Sequence, residues 1–409
     1  MNTLKTLIIS FALLTALSLT SFNLVHESTE QQKLDDSISN LRISLEKELG
    51  HDVPSISILL QSPKGTYFTS SPGKNGKAIT KDTYFRFASN TKNFTAAAIL
   101  NMMQDGWLNI DDKIISKIPT STQTYVPNTA AWAIPYRDEI TIKQLLQHNA
   151  GVYDVSNDDV PGCGDNSYVE YTLKNSPDHQ FTSTELVNQV TINKLSYGAP
   201  NVVYHYSNTG YTILGEVIAR VYSARSGKDK TYGDYLKDKI YGANAKVPLN
   251  FNFVDQATDQ QLPSPYVTGM IQYPTKTRIT DKINASPHVA EGNGVGTMDQ
   301  LNRYIRTMMK GENVLTKKMV TLMQTSEGPA NTAETHYGLG CTNNKFLGYG
   351  HNGATEGYLS SMMYDPKTDI SLIVMIPYWD LTDGNQSLGK CLQALVKAGI
   401  VGREAIGYP

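Results

Sequence analysis

Between Thr91 and Asp105 the chain reads as a helix that is apolar on nearly every face, with Gly106 as its stop. Ala96, Ile99, Leu100 and Met103 share one side, and the other sides are little more polar. Such a helix has no face to give to water, so the fold has to be built around it. Ser89 and Lys92 stand at its start, about one helical turn apart. A hydroxyl and an amine so placed are the minimal parts of a Ser–Lys acyl-transfer site. The first turn of a helix adds free amide donors and a dipole that favours negative charge. The S-x-x-K pattern alone says little, since it recurs at Ser44, Ser71 and Ser387.

Around this helix, both ends of the chain bring strands and helices. Leu34, Ile38, Leu41, Leu45 and Leu49 make a helical stripe within residues 29 to 50. Ser55–Gln61 and Thr66–Ser70, joined at Pro63-Lys64-Gly65, predict a hairpin, and Tyr84–Phe87 a short strand leading to Ser89. Thr297-Met298-Asp299-Gln300 reads as a capping box opening a helix with a Leu301, Ile305, Met308 stripe and a stop at Gly311. The C-terminal part reads as a meander over Tyr337–Thr342, Lys345–Gly350, Gly357–Tyr364 and Ile370–Pro377, closed by a helix over Leu388–Ala398. The middle is loop-rich, with a clear helix over Thr209–Ser223. The polar stretch Asp154–Phe181 is long enough to serve as a lid or binding loop. The expected class is α+β: one antiparallel sheet flanked by terminal helices, plus a mostly helical inserted domain. The domain division is 29–106 with 290–409 for the sheet domain and 107–289 for the insertion, with the cleft between them.

The chain has 409 residues, enough for two such domains. A net charge of −2 gives no basic face, so no nucleic-acid partner is expected. Lys5 followed by the apolar run Leu7–Phe22 resembles an export signal, so residues 1–28 are assigned to a cleaved signal peptide, with an uncleaved N-terminal anchor as the alternative. The expected localisation is therefore periplasmic or secreted, with no stable membrane span once the signal is cleaved. Cys163, Cys341 and Cys391 leave at least one thiol over; a Cys341–Cys391 disulfide and three buried thiols both stand open. No ligand spacing suggests a metal, and no cofactor is expected. Asp154-x-Ser156-x-Asp158 lacks the glycine of a calcium loop. Gly292-x-Gly294-x-Gly296 lacks the strand and helix that frame a dinucleotide site.

Further motifs follow Ser89 in order. Leu145-Leu146-Gln147-His148-Asn149-Ala150-Gly151 comes first, then Tyr206-Ser207-Asn208-Thr209-Gly210-Tyr211 with the one Y-x-N of the chain. Tyr337-Gly338-Leu339-Gly340, Gly350-His351-Asn352-Gly353 and Gly357-Tyr358 close the series. Together with Phe87–Thr95 they resemble the serine β-lactamase-related superfamily over about residues 50 to 380. The likeness is nearest to soluble D,D-carboxypeptidases, D-aminopeptidases and esterases related to class C β-lactamases. The resemblance implies the β-lactamase/transpeptidase-like fold.

It also implies roles. Ser89 is the nucleophile, Lys92 takes its proton, and Tyr206 carries a proton to the leaving group. Burial of Lys92 would lower its pKa toward the working range. Asn208 holds the substrate's acyl side, and would face with Tyr206 if the segment is extended. Gly353 on the cleft-lining strand admits the substrate backbone, and the Ala354 N–H joins that of Ser89 in the oxyanion hole. Many relatives carry Lys where this chain has His351. A histidine there makes carboxylate recognition weaker or pH-dependent and counts against a dedicated β-lactamase. His148 reads as structural. The implied activity is a serine hydrolase forming an acyl-enzyme on D-amino-acid peptides or amides. A carboxylesterase, a class C-like β-lactamase and a non-enzymatic binding protein of the same fold are the alternatives. Partners would be small peptide, amide or ester substrates, with peptidoglycan fragments among them, and β-lactams as acylating ligands.

Overall fold

Leu59 and Ile58 are neighbours in sequence and lie in different cores, which is the pattern on which the architecture rests. In the computed structural model, which describes residues 29–332 and 336–409, the strands are β1 (Ser55–Ser62), β2 (Gly65–Pro72), β3 (Tyr84–Arg86), β4 (Asn252–Phe253), β5 (Gly269–Gln272), β6 (Thr277–Thr280), β7 (Gly294–Thr297), β8 (Thr342–Asn344), β9 (Gly348–Thr355), β10 (Tyr358–Asp365), β11 (Ile370–Ile376) and β12 (Tyr378–Asp380). The main sheet runs β2-β1-β11-β10-β9-β8, antiparallel throughout, so strands from the two ends of the chain meet at β1 and β11. Ile56, Ile58 and Leu60 of β1 join Leu372, Val374 and Ile376 of β11 on the outer face. Leu59, Ile373 and Met375 point to the inner face. This two-residue alternation in strands covered on both sides fixes the register, each buried aliphatic side chain adding about 1.5–3 kcal/mol.

The outer face is covered by the terminal helices Glu30–Leu49 and Asn385–Ala405, through Leu34, Ile38, Ala394, Leu395 and Ala398. The inner face is covered by the helix Met298–Met309, which packs on β1, β10 and β11; behind it lies the helix Thr91–Gln104, in which every residue from Thr91 to Met102 is buried and Phe94 stacks on Tyr304 with ring centroids 3.7 Å apart. Beyond that helix lie Asn208–Ser226 and the shorter helices Ile142–Leu146, Tyr168–Asn175 and Ser183–Ile192. The fold is thus α+β with an antiparallel sheet and flanking helices, as expected.

Several local expectations are corrected. Tyr337 makes only an isolated bridge to Thr342, and the strand predicted at Lys345–Gly350 lies later, at Gly348–Thr355. Residues 344 to 348 form the turn instead, because the Asn344 side chain accepts from the Phe346 and Leu347 amides. The capping box at Thr297 is only half made: Thr297 accepts from the Gln300 amide, while the Gln300 side chain accepts from Asn250 across the fold. The middle also contains strands that carry no clear period-two signal, in two small sheets ordered β12-β5-β6 and β3-β7-β4. Asp154–Phe181 includes the helix Tyr168–Asn175. All three cysteines are free and buried. Cys341 sits in the inner core and Cys391 in the outer one, so the main sheet keeps the disulfide from forming. The expected signal segment lies outside the described residues. Among those described, no helix is long and apolar enough to cross a membrane.

Candidate active site

Ser89 sits in a single 3-10 turn, Ala88–Asn90, wedged between β3 and the buried helix. Three side chains clamp the turn. Thr91 Oγ1 donates to the Ala88 carbonyl at 2.7 Å, Asn90 Nδ2 donates to the Phe87 carbonyl at 2.9 Å, and Ser360 Oγ of β10 donates to the same carbonyl at 3.1 Å. Ala88 is held at φ +50°, a conformation that costs a non-glycine residue about 1 kcal/mol or more and persists only where neighbours enforce it. The result is a half-exposed Ser89 on an otherwise buried helix start.

One turn on, Lys92 is fully buried. Its Nζ donates to Asn208 Oδ1 at 2.7 Å, to the Glu291 carbonyl at 2.9 Å and to Ser89 Oγ at 3.2 Å, with Glu291 Oε2 at 3.4 Å. The Tyr206 phenol lies against both Lys92 and Ser89, the Lys92 Nζ standing 4.7 Å from its ring centre. Desolvation is the largest influence on Lys92 and pushes its pKa down. The Tyr206 phenol, the Glu291 carboxylate and Asp154 push it up, and the balance lies above the ordinary value. The expected fall toward the working range is therefore corrected: the resting side chain is an ammonium with its three protons committed to three acceptors. Burial raises the Tyr206 phenol as well, with Lys92 opposing that rise.

Asn208 is the first residue of the helix Asn208–Ser226 rather than part of an extended segment. Ser207 caps that helix, so Asn208 turns its amide oxygen onto Lys92. Asp154 accepts from the Asn208 amide at 3.0 Å and from Asn157 Nδ2 at 2.9 Å, and burial pushes its carboxyl up to about 6. His148, held at φ +57°, accepts at Nδ1 from the Ser207 amide at 3.1 Å, and its ring lies 4.2 Å from that of Tyr206. It fixes the backbone that presents the phenol.

β9 forms the opposite wall. β8 pairs with it only as far as Gly350, so the stretch from His351 to Thr355 keeps one edge open. His351, Gly353 and Ala354 line the cleft there with Ser89, Tyr206 and Asn208. A Cβ on Gly353 would meet the Phe87 carbonyl at 2.2 Å, so only glycine lets β9 lie against the Ser89 turn. Gly294 is needed for a related reason: a Cβ there would lie 2.0 Å from the Phe87 ring. The cleft has a volume of about 1010 Å³, and residues 156 to 177 supply part of its rim.

His351 is 5% exposed, and its Nε2 lies 2.9 Å from the Tyr337 hydroxyl. Burial, reinforced by Lys92, pushes it down to about 3, so it is neutral over the physiological range, and the expected pH-dependent charge is corrected. The unfolded imidazole takes up a proton below about 6.5 and the folded one does not until about 3. The folded state therefore loses stability as pH falls through that window, by an amount on the order of a few kcal/mol at its acid end. We expect the melting temperature of the wild type to drop more steeply than that of His351→Gln between pH 6.5 and 3. Parallel melting curves for the two proteins would contradict a buried neutral His351.

Ser89, Lys92, Tyr206, Asn208, His351, Gly353 and Ala354, scattered over 266 positions of chain (354 − 89 + 1), are thus brought to one crevice. Glu291, His288, Asp154 and Tyr337 were not singled out from sequence as site residues. Glu291 follows no spacing rule, and its one signal is a lone charge in an otherwise uncharged, glycine-rich run, Ala290–Thr297.

Comparison with known proteins bears on the family and the fold. The family model described as Beta-lactamase matches residues 42–385. The protein flp of Staphylococcus aureus is 29% identical over 197 residues, 47% of this chain and 33% of its own length. The matched region thus spans about a third of that relative. A D-stereospecific amidohydrolase from Streptomyces sp. superposes with TM-score 0.67 at 19% identity, covering 88% of this chain and 98% of its own. D-amino acid amidase from Ochrobactrum anthropi SV3, complexed with D-phenylalanine, gives TM-score 0.68 at 21% identity, covering 91% and 99%. At these identities the two structures share the fold with this chain.

Proposed function

The chain belongs to the β-lactamase family of serine hydrolases, and within it we propose an amidase or peptidase that cleaves D-amino-acid amides or short D-peptides through an acyl-enzyme on Ser89. The observation that carries this is the Ser89 hydroxyl 3.2 Å from a buried Lys92 ammonium, with the Tyr206 phenol against both and the open edge of β9 opposite. When the Lys92–Tyr206 pair holds one proton fewer, the Tyr206 phenolate is stabilised by the ammonium and accepts the proton of Ser89 as Oγ attacks the carbonyl. The carbonyl oxygen gains negative charge between the N–H groups of Ser89 and Ala354. Tyr206 then returns the proton to the leaving amine. Water repeats the sequence to release the acid and free Ser89.

A neutral His351 favours amides over substrates that need a fixed cation for a free carboxylate. Of the other cations on the cleft wall, Lys174 pairs with Glu170 at 2.9 Å and Arg278 with Glu356 at 2.5 Å, while Lys282 makes no ion pair among the described residues. The names of the two structural neighbours, a D-stereospecific amidohydrolase and a D-amino acid amidase, support the same choice. A panel of D-phenylalanine amide, its L-isomer, a D-Ala-D-Ala peptide, a short-chain ester and a cephalosporin tests it. The D-amide is expected to have a kcat/KM about tenfold or more above the D-Ala-D-Ala peptide. A preference for the ester or the cephalosporin would replace the reading with an esterase or a β-lactamase.

A further inference from the structure

Beneath Lys92 lies a charged pair that the acyl transfer just described leaves unused. Glu291 is 2% exposed and grips Lys92 twice, through its carbonyl at 2.9 Å and through Oε2 at 3.4 Å. Its other carboxylate oxygen, Oε1, lies 2.5 Å from His288 Nδ1. The two side chains are set by one turn, in which the Glu291 and Gly292 amides both donate to the His288 carbonyl, at 3.2 and 2.9 Å. Between them Ala290 is held at φ +71°. Its carbonyl accepts from Thr95 Oγ1 of the Ser89 helix at 2.6 Å, so that helix itself enforces the strained backbone. His288 lines the cleft, so the far end of the pair meets whatever occupies it.

We propose that Glu291 and His288 are a positioning pair: the carboxylate, oriented by the imidazole, holds the Lys92 ammonium against Ser89 and sets the pH at which the Lys92–Tyr206 pair releases the proton that acyl transfer requires. This rests on the acyl-enzyme reading above. The charged and titratable groups facing the pair are Lys92 from the Ser89 helix, Asp154 and Tyr206 from the loops before the helix Asn208–Ser226, Tyr232 beyond that helix, and Glu356 from the turn after β9. A carboxylate beside an ammonium makes the ammonium harder to deprotonate, and an imidazolium on the other side of that carboxylate offsets part of the effect. The two members of the pair therefore push Lys92 in opposite directions.

The test is the pH dependence of the rate at which a fluorescent penicillin or a phosphonate labels Ser89 in the full chain. In Glu291→Gln the midpoint of the rising limb is expected to move down by about one pH unit, with a plateau lowered roughly tenfold because Lys92 loses its orientation. Glu291→Asp should restore part of that plateau. In His288→Gln the midpoint is expected to move up, by roughly half a unit. Shifts of opposite sign support the pair; no shift, or shifts of the same sign, overturn it, since mere packing damage would lower the rate without moving the midpoint. If Glu291→Gln does not fold, His288→Gln decides alone by whether its midpoint rises. A wild type that is never labelled at Ser89 instead removes the acyl-enzyme reading, and the pair's role with it.

Discussion

Ser89→Ala is expected to lower turnover by about 10⁵-fold or more and to abolish covalent labelling, while leaving the fold within about 0.5 kcal/mol of wild type. The contrast between the two effects follows from the turn in which Ser89 sits. Asn90, Thr91 and Ser360 make the hydrogen bonds that hold it, and Ser89 Oγ contributes to none of them. Its side chain lies against the Tyr206 phenol and accepts from Lys92 at 3.2 Å, a longer hydrogen bond than those Lys92 donates to Asn208 and to the Glu291 carbonyl. Without it the ammonium keeps Asn208 and the Glu291 carbonyl, so no buried charge is stranded. The half-exposed site closes on a methyl group with little change in packing. Chemically the loss is complete, because no neighbouring hydroxyl of the turn faces Lys92 and Tyr206 together. Intact-mass measurement after incubation with a β-lactam or phosphonate gives the answer: an adduct that persists in the folded variant places the nucleophile elsewhere.

The parts of this site that sequence made legible are those whose chemistry is tied to local pattern. A helix apolar on all sides announces a centre, and Ser89 and Lys92 share its first turn, so their proximity is fixed by helical geometry alone. The near-continuous apolar runs within Ser55–Gln61 and Ile370–Pro377 likewise mark strands covered on both faces. What stayed hidden depends on long-range packing. β4, β5 and β6 are two to four residues long, and each is a strand because a partner strand lies beside it. Asn208 was expected in an extended segment because Y-x-N carries no helical signal of its own; Ser207 as a cap, and the Asp154 carboxylate above the Asn208 amide, make it the first helical residue. The charge on Lys92 is hidden from sequence for the same reason. Burial is visible in the apolar sequence around it. The compensating groups come from positions 154, 206 and 291, and their sum reverses the sign of the shift. His351 shows the converse case. Its deep setting leaves it without a carboxylate partner, and desolvation prevails.

Lys92→Met tests the electrostatic half of the mechanism and is expected to slow acylation by about 10³-fold or more. Methionine fills nearly the same space, so the loss reports charge and proton transfer rather than a cavity. Two contributions vanish together: the ammonium that favours the phenolate of Tyr206, and the donor that aligns Ser89 Oγ. Unlike Ser89→Ala, this variant is expected to cost stability. Glu291 would keep His288 as a partner but lose Lys92, and Asn208 Oδ1 would lose the 2.7 Å donor. Removing one member of a buried ion pair costs up to about 3–5 kcal/mol, and the remaining imidazole brings the expectation to about 2–3 kcal/mol. Adding Glu291→Gln to Lys92→Met removes the stranded carboxylate. The double variant should therefore recover part of the stability and none of the acylation rate, a coupling readable as a double-mutant cycle in denaturant unfolding. An unchanged acylation burst in Lys92→Met would take Lys92 out of the chemistry. A single variant as stable as wild type would show that the carboxylate and the ammonium are not energetically joined. Recovery of stability without recovery of rate would separate the two tasks that Lys92 performs at one position: neutralising a buried acid, and poising the hydroxyl and phenol for proton transfer.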